Sequence, residues 1–336
     1  SESRDDVLYQ LTESLTPESL YQIARVAYEE LRRGGVRTVG EFHHVHHQPG
    51  GAPYDGRTDL ADALINAARA EGLRITLVRV IHGRSAAGEQ AAGPELRFTD
   101  ASVDLALRDV DELWSRYADQ PDVRIGVGAY RLSAVPPEWL SVIAEYAGRH
   151  RLPFHMPVAE TQAEAEACVA ETGKRPVELL ADLGVLNERF IAVHASHLAD
   201  QEARLLGEAR AFVCLCPTAE RNRGHGLPDI SALRSAGVRL CIGVDSHVLT
   251  SPLEDLRAIE LSERVRCGQR VVLTPAERTP AEELWHIGSQ LTSEACGFDD
   301  GGGTVGLQRA APELSLVLED QLLDAIVFGA SDRVFL

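Results

Sequence analysis

Positive charge is scarce in this chain. Its 33 lysine and arginine residues stand against 51 aspartate and glutamate residues, so the 336 residues carry a formal net charge of -18 at pH 7. Nucleic acids and anionic membranes both favour basic surfaces. The charge balance therefore argues against nucleic acid and membrane as main partners, and we expect a small-molecule substrate instead.

Long apolar runs and targeting segments are lacking too. No stretch approaches the roughly 18 apolar residues of a membrane-spanning helix, and the polar residues 1–6 indicate no signal peptide. The six cysteines include one close pair, Cys214 and Cys216, which lacks the spacing of a zinc knuckle. Cysteines in apolar strand-like runs usually behave as small hydrophobic residues. We therefore predict a reduced, cytoplasmic protein without disulfides.

Two catalytic signatures are absent as well. No glycine-rich phosphate loop follows any strand-like run, which argues against a doubly wound nucleotide-binding sheet. No Gly-x-Ser-x-Gly elbow is present, which argues against a Ser-His-Asp hydrolase.

Strand-like and helix-like segments alternate along the chain. Continuous apolar strands separated by helices are typical of a parallel sheet covered on both faces, and a single (β/α)8 TIM-type barrel can have this length. A closed barrel needs eight strands, and this sequence begins with a helix. We therefore predict an α/β barrel that lacks its first strand, with an open doubly wound sheet as the alternative. The predicted strands are residues 36–45, 74–82, 123–132, 154–159, 190–196, 211–216 and 238–244.

The end of the chain has a different pattern. Residues 313–318 alternate like a β-strand, and residues 325–328 form a second short apolar run. We predict a barrel domain over residues 1–300 and a β-rich remnant of a small domain over residues 301–336, packed on the barrel.

Polar side chains collect where the predicted strands end. Barrel enzymes build their active sites at the C-terminal ends of the strands, and most of the twelve histidines lie at such positions. His194 and Asp245 end two of the apolar runs, and a carboxylate there is costly to bury unless it is paired or metal-bound. Glu160 follows a third run. Its carboxylate either acts as a general acid or base or caps the next helix. We predict these three residues to be catalytic.

Other strand-end residues are candidates for substrate or metal binding. His44 and His46 are two residues apart, which would place both imidazoles on one strand face, a spacing that suits zinc or iron. The alternative is a purely structural role, in which these histidines line a strand and a loop and form hydrogen bonds with carbonyl groups. The predicted metal ligands are Asp245, with His44, His46 and His155 as weaker candidates. The predicted substrate-binding residues are His82, Tyr130, Arg131, Glu220, Asn222 and His247.

Several of these stretches resemble the amidohydrolase superfamily, and most closely its formimidoylglutamate deiminase branch. The resemblance covers nearly the whole chain and implies a TIM barrel, one zinc or iron, attack of water on a formimidoyl carbon, and a homodimer. It implies that Asp245 ligates the metal and shuttles protons, that His194 polarises the attacking water, and that Glu160 moves a proton to nitrogen. The motifs are Gly40-Glu-Phe-His-His-Val-His-His47, Pro157-Val-Ala-Glu160, Val193-His-Ala-Ser-His197, Leu215-Cys-Pro-Thr-Ala-Glu220 and Gly243-Val-Asp-Ser-His-Val248.

The sequence departs from the family's metal-ligand pattern. It has no first-strand His-x-His pair, and Pro157 stands where the family has a ligating histidine. Two hypotheses follow. The chain is an amidohydrolase-like enzyme that deiminates a C–N bond in a small polar amidine or amide, such as an N-formimidoyl amino acid. Alternatively, it is a metal-free divergent homologue, namely a pseudoenzyme, a ligand-binding or partner subunit, or an enzyme with altered acid/base chemistry on Glu160, His194 and Asp245.

Overall fold

The computed structural model describes residues 4–246, 248–275, 277–301 and 303–336. Within them, seven strands form one parallel sheet in which each strand pairs with its neighbours in sequence. This order confirms the predicted α/β fold of TIM type, with seven strands at the seven predicted places. The strands are β1 (Thr38–His43), β2 (Arg74–Ile81), β3 (Val123–Ala129), β4 (Phe154–Val158), β5 (Phe190–His194), β6 (Phe212–Leu215) and β7 (Arg239–Ile242).

Helices precede, separate and follow these strands. They are α1 (Arg4–Glu13), α2 (Pro17–Arg33), α3 (Asp59–Ala70), α4 (Val103–Tyr117), α5 (Pro137–His150), α6 (Gln162–Thr172), α7 (Pro176–Asp182), α8 (Asp200–Glu208), α9 (Pro217–Arg223), α10 (Ile230–Ser235), α11 (Pro252–Cys267), α12 (Pro280–His286), α13 (Thr292–Ala295) and α14 (Leu322–Gly329). In the described part of the chain, no helix combines the length and the apolar character needed to cross a membrane.

Helix α2 illustrates how local sequence starts an element. The Thr16 hydroxyl accepts a hydrogen bond from the Ser19 backbone N–H, and the Ser19 hydroxyl accepts one from the Thr16 N–H. This reciprocal pair satisfies two N–H groups that a helix start would otherwise leave without partners. Pro17 occupies the first turn, where a missing N–H is tolerated.

A buried ion network joins β2 to α4. The Arg79 side chain is 2% exposed and contacts Asp100 Oδ1 at 2.5 Å and Asp109 Oδ2 at 2.9 Å. Asp109 lies on α4 and also pairs with Arg57 at 2.7 Å. Since a buried charge is stable only when it is compensated, these contacts hold the helix against the sheet in one position.

Strands β1 and β7 are the outer strands, and among the described residues no further strand pairs with them. The segment around α13 packs beside β7 and beside the first two strands, since a Cβ atom on Gly40 of β1 would stand 3.3 Å from Cys296 Sγ and Thr76 lies on β2. The Thr76 hydroxyl donates to the backbone carbonyl of Cys296, and the Ile242 N–H donates to the Thr292 hydroxyl at 3.1 Å. This segment therefore contacts both ends of the sheet.

The C-terminal segment is helical where strands were predicted. Residues 325–328 lie inside α14, and residues 313–318 form turns and a short irregular stretch. The predicted β content of residues 301–336 is therefore wrong. Tertiary packing explains the difference. Ile326 packs in a small apolar cluster with Leu253 of α11 and Val334. A helix can present its apolar residues to such a cluster as well as a strand can. The division at residue 300 stays a prediction.

Candidate active site

The three predicted catalytic residues line one cavity. It has a volume of about 1210 Å³, and residues of β1 and of β4 to β7, with the segments that follow them, form its walls. Glu160 follows β4, His194 ends β5, and Asp245 follows β7. Because these strands are parallel, their C-terminal ends meet at one edge of the sheet and bring the three side chains together.

The backbone at this edge is strained. His194 has φ of +69°, and Asp245 has φ of +46°. Residues with side chains rarely adopt such left-handed conformations, and where they do, the surrounding structure enforces them, commonly at functional sites. The strain turns the chain sharply at the strand end and aims these side chains at the cavity.

His194 lies at the centre of the site. Its Nε2 is 3.7 Å from Glu160 Oε1 and 3.9 Å from Asp245 Oδ2, while its Nδ1 is 3.3 Å from Glu220 Oε1. Glu220 is 1% exposed and also accepts a hydrogen bond from the Cys216 backbone N–H at 3.0 Å. Glu220 therefore fixes the imidazole from behind, and Nε2 faces the two carboxylates.

Arg223 bridges the same two carboxylates. Its Nη1 donates to Glu160 Oε1 at 2.7 Å, and its Nη2 lies 2.8 Å from Asp245 Oδ2. The Nδ1 of His225 also approaches Glu160 Oε1, at 3.1 Å. A guanidinium thus occupies the space between Glu160 and Asp245.

These charges shift two pKa values in opposite directions. Burial alone would raise the pKa of Glu160, but the neighbouring His194, Arg223 and His225 outweigh it and lower that pKa. Burial alone would lower the pKa of His194, but its hydrogen bond with Glu220 and the charges of Glu160 and Asp245 raise it. Glu160 is therefore an ionised base at neutral pH, beside an imidazole that holds its proton more firmly than usual.

Helix α9 carries Glu220 and Arg223 into the site. The two residues are three positions apart, so they share one face of the helix. The first turn is anchored by Asp255 of α11, whose Oδ1 accepts from the Thr218 N–H at 2.8 Å. Burial raises the pKa of Asp255 to about 6.

One set of donor atoms could hold a divalent metal. Atoms of His194, Cys216 and Glu220 all lie within 4.8 Å of one another. Nitrogen, sulfur and oxygen donors are the ligands that zinc prefers, and three protein ligands suffice for a catalytic site. Pro157 lines the cavity and supplies no donor. The donor set fits zinc, but with other ligands than the family pattern implies.

Some of the remaining predicted residues reach the cavity. Tyr130, Arg131, His44 and His155 line it, and the Arg131 guanidinium lies 5.0 Å from the centre of the Tyr130 ring. Burial lowers the pKa of His155 to about 4, so its imidazole is neutral.

Others do not line it. His82 lies behind Tyr130, with ring centres 4.7 Å apart, and its Nε2 contacts the Arg84 carbonyl. Asn222 is exposed on α9. His46 is buried, with Nε2 2.8 Å from the Val80 carbonyl, so it is a structural residue. The proposed shared face of His44 and His46 is wrong because β1 ends at His43. His247 lies outside the described residues.

Sequence reasoning missed Arg223 and His225. The sequence did hold a signal for Arg223. Pro217 predicts the start of a helix, and on a helix Glu220 and Arg223, three residues apart, share one face, whereas Asn222 lies on another. Sequence reasoning also missed Cys214 and Cys241, which line the cavity with Cys216.

Comparisons with known proteins identify the family. The model of the Amidohydrolase family matches residues 2–333. The chain belongs to the amidohydrolase family. Among its relatives, the formimidoylglutamate deiminase of Pseudomonas aeruginosa is 29% identical, over 98% of this chain and 74% of the relative. The 8-oxoguanine deaminase of the same organism is 28% identical, over 97% of this chain and 72% of the relative.

Solved structures agree with this assignment. The amidohydrolase from Brucella melitensis matches with a TM-score of 0.89 and 28% identity, over 100% of this chain and 79% of the other. An adenosine deaminase from Xanthomonas campestris with bound zinc matches with a TM-score of 0.78 over 98% of this chain and 70% of the other, at 20% identity, which shows the fold alone. The predicted resemblance is confirmed. The predicted class of this amidohydrolase, a deiminase-like hydrolase of C–N bonds, is also confirmed.

Proposed function

We propose that this amidohydrolase deiminates a small cationic amidine, such as an N-formimidoyl amino acid, and releases ammonia. One observation carries the proposal, namely that Glu160 and Asp245 together hold the Arg223 guanidinium beside His194. Guanidinium and amidinium ions share a planar N–C–N arrangement of N–H donors, which carboxylates bind with charge-assisted hydrogen bonds. The carboxylates that hold Arg223 therefore suit a substrate amidinium.

The reaction needs one water and no other reactant. Ionised Glu160 takes a proton from water as the water oxygen bonds to the amidine carbon. Glu160 then returns that proton to the terminal nitrogen, while Asp245 accepts the proton of the new hydroxyl group. The C–N bond breaks, a carbonyl forms, and the ammonia takes up the proton from Asp245. The products are the N-formyl compound and ammonium, and His194 orients the oxygen throughout.

Zinc, when bound, would lower the pKa of the attacking water. The residues that could hold it are His194, Cys216 and Glu220. The metal-free hypothesis has support of its own, because Arg223 already supplies positive charge between Glu160 and Asp245.

The proposed function is tested by ammonia release from N-formimidoyl amino acids and from neutral amides. We expect turnover of the amidines, measured with a coupled ammonia assay on untreated and on chelator-treated protein. Activity that survives chelation supports the metal-free hypothesis, and activity lost on chelation and restored by zinc supports the metal. Absence of turnover in both samples and after zinc addition would refute the proposed function. The homodimer and the cytoplasmic location expected from the sequence stay predictions.

Replacing Arg223 by glutamine is expected to strengthen the binding of acetamidinium about tenfold, because the carboxylates then lose their internal cation. Isothermal titration calorimetry measures the affinity. Arg221→Gln is the matched control, since Arg221 lies on the same helix but pairs with Glu254 at 3.0 Å. Weaker binding by Arg223→Gln would mean that Arg223 helps to bind the substrate and does not compete with it.

A further inference from the structure

We propose that His197 is a positioning residue, which holds the turn after α9 so that His225 stays against Glu160. We call residues 224–226 the α9 turn. His197 does not line the cavity, so it acts on the site only through the residues that it holds. The proposal rests on the proposed function, in which Glu160 binds the amidinium group and moves its protons.

His197 is itself fixed at both ends of its backbone. Its N–H donates to the carbonyl of Ala159, the residue before Glu160, at 3.0 Å. Its carbonyl accepts from Nη2 of Arg175 at 2.6 Å, and Arg175 pairs with the fully buried Glu202. The imidazole therefore projects from a backbone that is tied to the segment carrying Glu160.

The ring of His197 holds the α9 turn. Its Nε2 lies 2.7 Å from the carbonyl oxygen of His225, and because a carbonyl only accepts, Nε2 carries the proton and donates. The same ring lies beside Gly226, where an added Cβ would stand 3.9 Å from Cε1. Among the described residues, the backbone groups of residues 226–228 make no hydrogen bond to other backbone groups. The contact with His197 therefore tethers the start of this stretch.

The tethered turn carries a second imidazole to Glu160. Nδ1 of His225 lies 3.1 Å from Oε1 of Glu160, the oxygen that also accepts from Arg223. Nε2 of His194 approaches Oε1 too, at 3.7 Å. In the described part of the chain, no hydrogen bond reaches Oε2 of Glu160. The contacts on Oε1 thus orient the carboxylate and leave Oε2 for a substrate or a water.

A general base needs such orientation. A misplacement of about 1 Å can cost about a hundredfold in rate, because the proton and the base no longer meet in the productive geometry. The His225 side chain is 24% exposed, so the packing around it does not confine it fully. The hydrogen bond from His197 to its carbonyl supplies a further constraint.

The test compares His197→Asn with His197→Gln. The asparagine amide is too short to reach the His225 carbonyl, whereas the glutamine amide can place an N–H near the position of Nε2. With a looser His225, Oε1 of Glu160 is free to pair with an amidinium, so His197→Asn should bind acetamidinium about threefold more tightly. The same variant should lower kcat for amidine deimination about tenfold, because Glu160 is less well oriented. His197→Gln should restore both values.

Two further variants complete the experiment, with affinity measured by isothermal titration calorimetry. His225→Ala keeps the carbonyl that His197 holds, so it should bind acetamidinium as tightly as His197→Asn, and the double variant should bind no more tightly. Ser141→Ala is the matched control. It removes a 3.1 Å hydrogen bond to the Leu183 carbonyl that follows α7, outside the cavity, and should change neither value by more than about twofold.

Unchanged affinity in His225→Ala would overturn the proposal, even if His197→Asn fails to fold. Additive effects in the double variant would overturn it too, because His197 would then act on the site by another route. A failure of the proposed function looks different, since neither the unmodified protein nor Arg223→Gln would bind acetamidinium, and that result would overturn both proposals.

Discussion

Replacing Glu160 by glutamine is expected to lower kcat/KM for amidine deimination about 100- to 10,000-fold, the usual loss when a general acid/base is removed. Glutamine keeps the size of the side chain but cannot accept a proton. The charges of His194, Arg223 and His225 keep the pKa of Glu160 low against the effect of burial, so the ionised base is lost at neutral pH. Steady-state ammonia release over pH 5 to 9 measures the effect.

The control for this variant lies on the following helix. Glu166 of α6 is exposed, and its carboxylate accepts a hydrogen bond from Gln162 at 2.9 Å. Glu166→Gln should keep the activity within about twofold, as is usual for exposed substitutions. If Glu160→Gln retained the same activity as Glu166→Gln, Glu160 would not be the base.

Replacing Arg79 by methionine is expected to reduce the free energy of unfolding by about 3–5 kcal/mol, the usual cost of removing one partner from a buried ion pair. The change leaves Asp100 and Asp109 buried without their common cation. Urea unfolding monitored by circular dichroism measures the loss. No pocket residue is altered, so metal and amidine binding by the folded fraction should persist.

Arg57→Met is the matched variant. Arg57 pairs with the same Asp109 but is 33% exposed, so solvent screens the contact and we expect a loss of about 1 kcal/mol or less. Equal losses in the two variants would show that burial of Arg79 contributes nothing beyond the pairing itself.

Local sequence was sufficient to predict most elements. The strand predicted at residues 74–82 is β2, which ends at Ile81, and the run that ends at His194 is β5. Apolar runs and proline at helix starts are local signals, and they lie within the segment they describe. The apolar run in α14 has no period that separates strand from helix, so the packing of Ile326 against Leu253 decided it.

The site was predictable in part. Glu160, His194 and Asp245 were found because each stands at the end of an apolar strand, and parallel strands bring such ends together. The sequence did not predict Arg223, because the position of its side chain depends on how α9 is rotated about its axis. The contact of Asp255 with the Thr218 N–H helps to set that rotation. The prediction that His46 shares a face with His44 was wrong for a similar reason. Strand β1 ends at His43, so the side chains that follow no longer alternate as they do along a strand.

The sequence by itself determined the parallel α/β fold, the family and the three residues at the strand ends, because these follow from apolar periodicity and from motifs within single segments. Tertiary structure alone decided what surrounds those residues. The guanidinium between Glu160 and Asp245 and the Glu220 carboxylate behind His194 come from segments far apart in the chain. Their contacts depend on helix rotation and strand register, which packing sets and no single segment encodes.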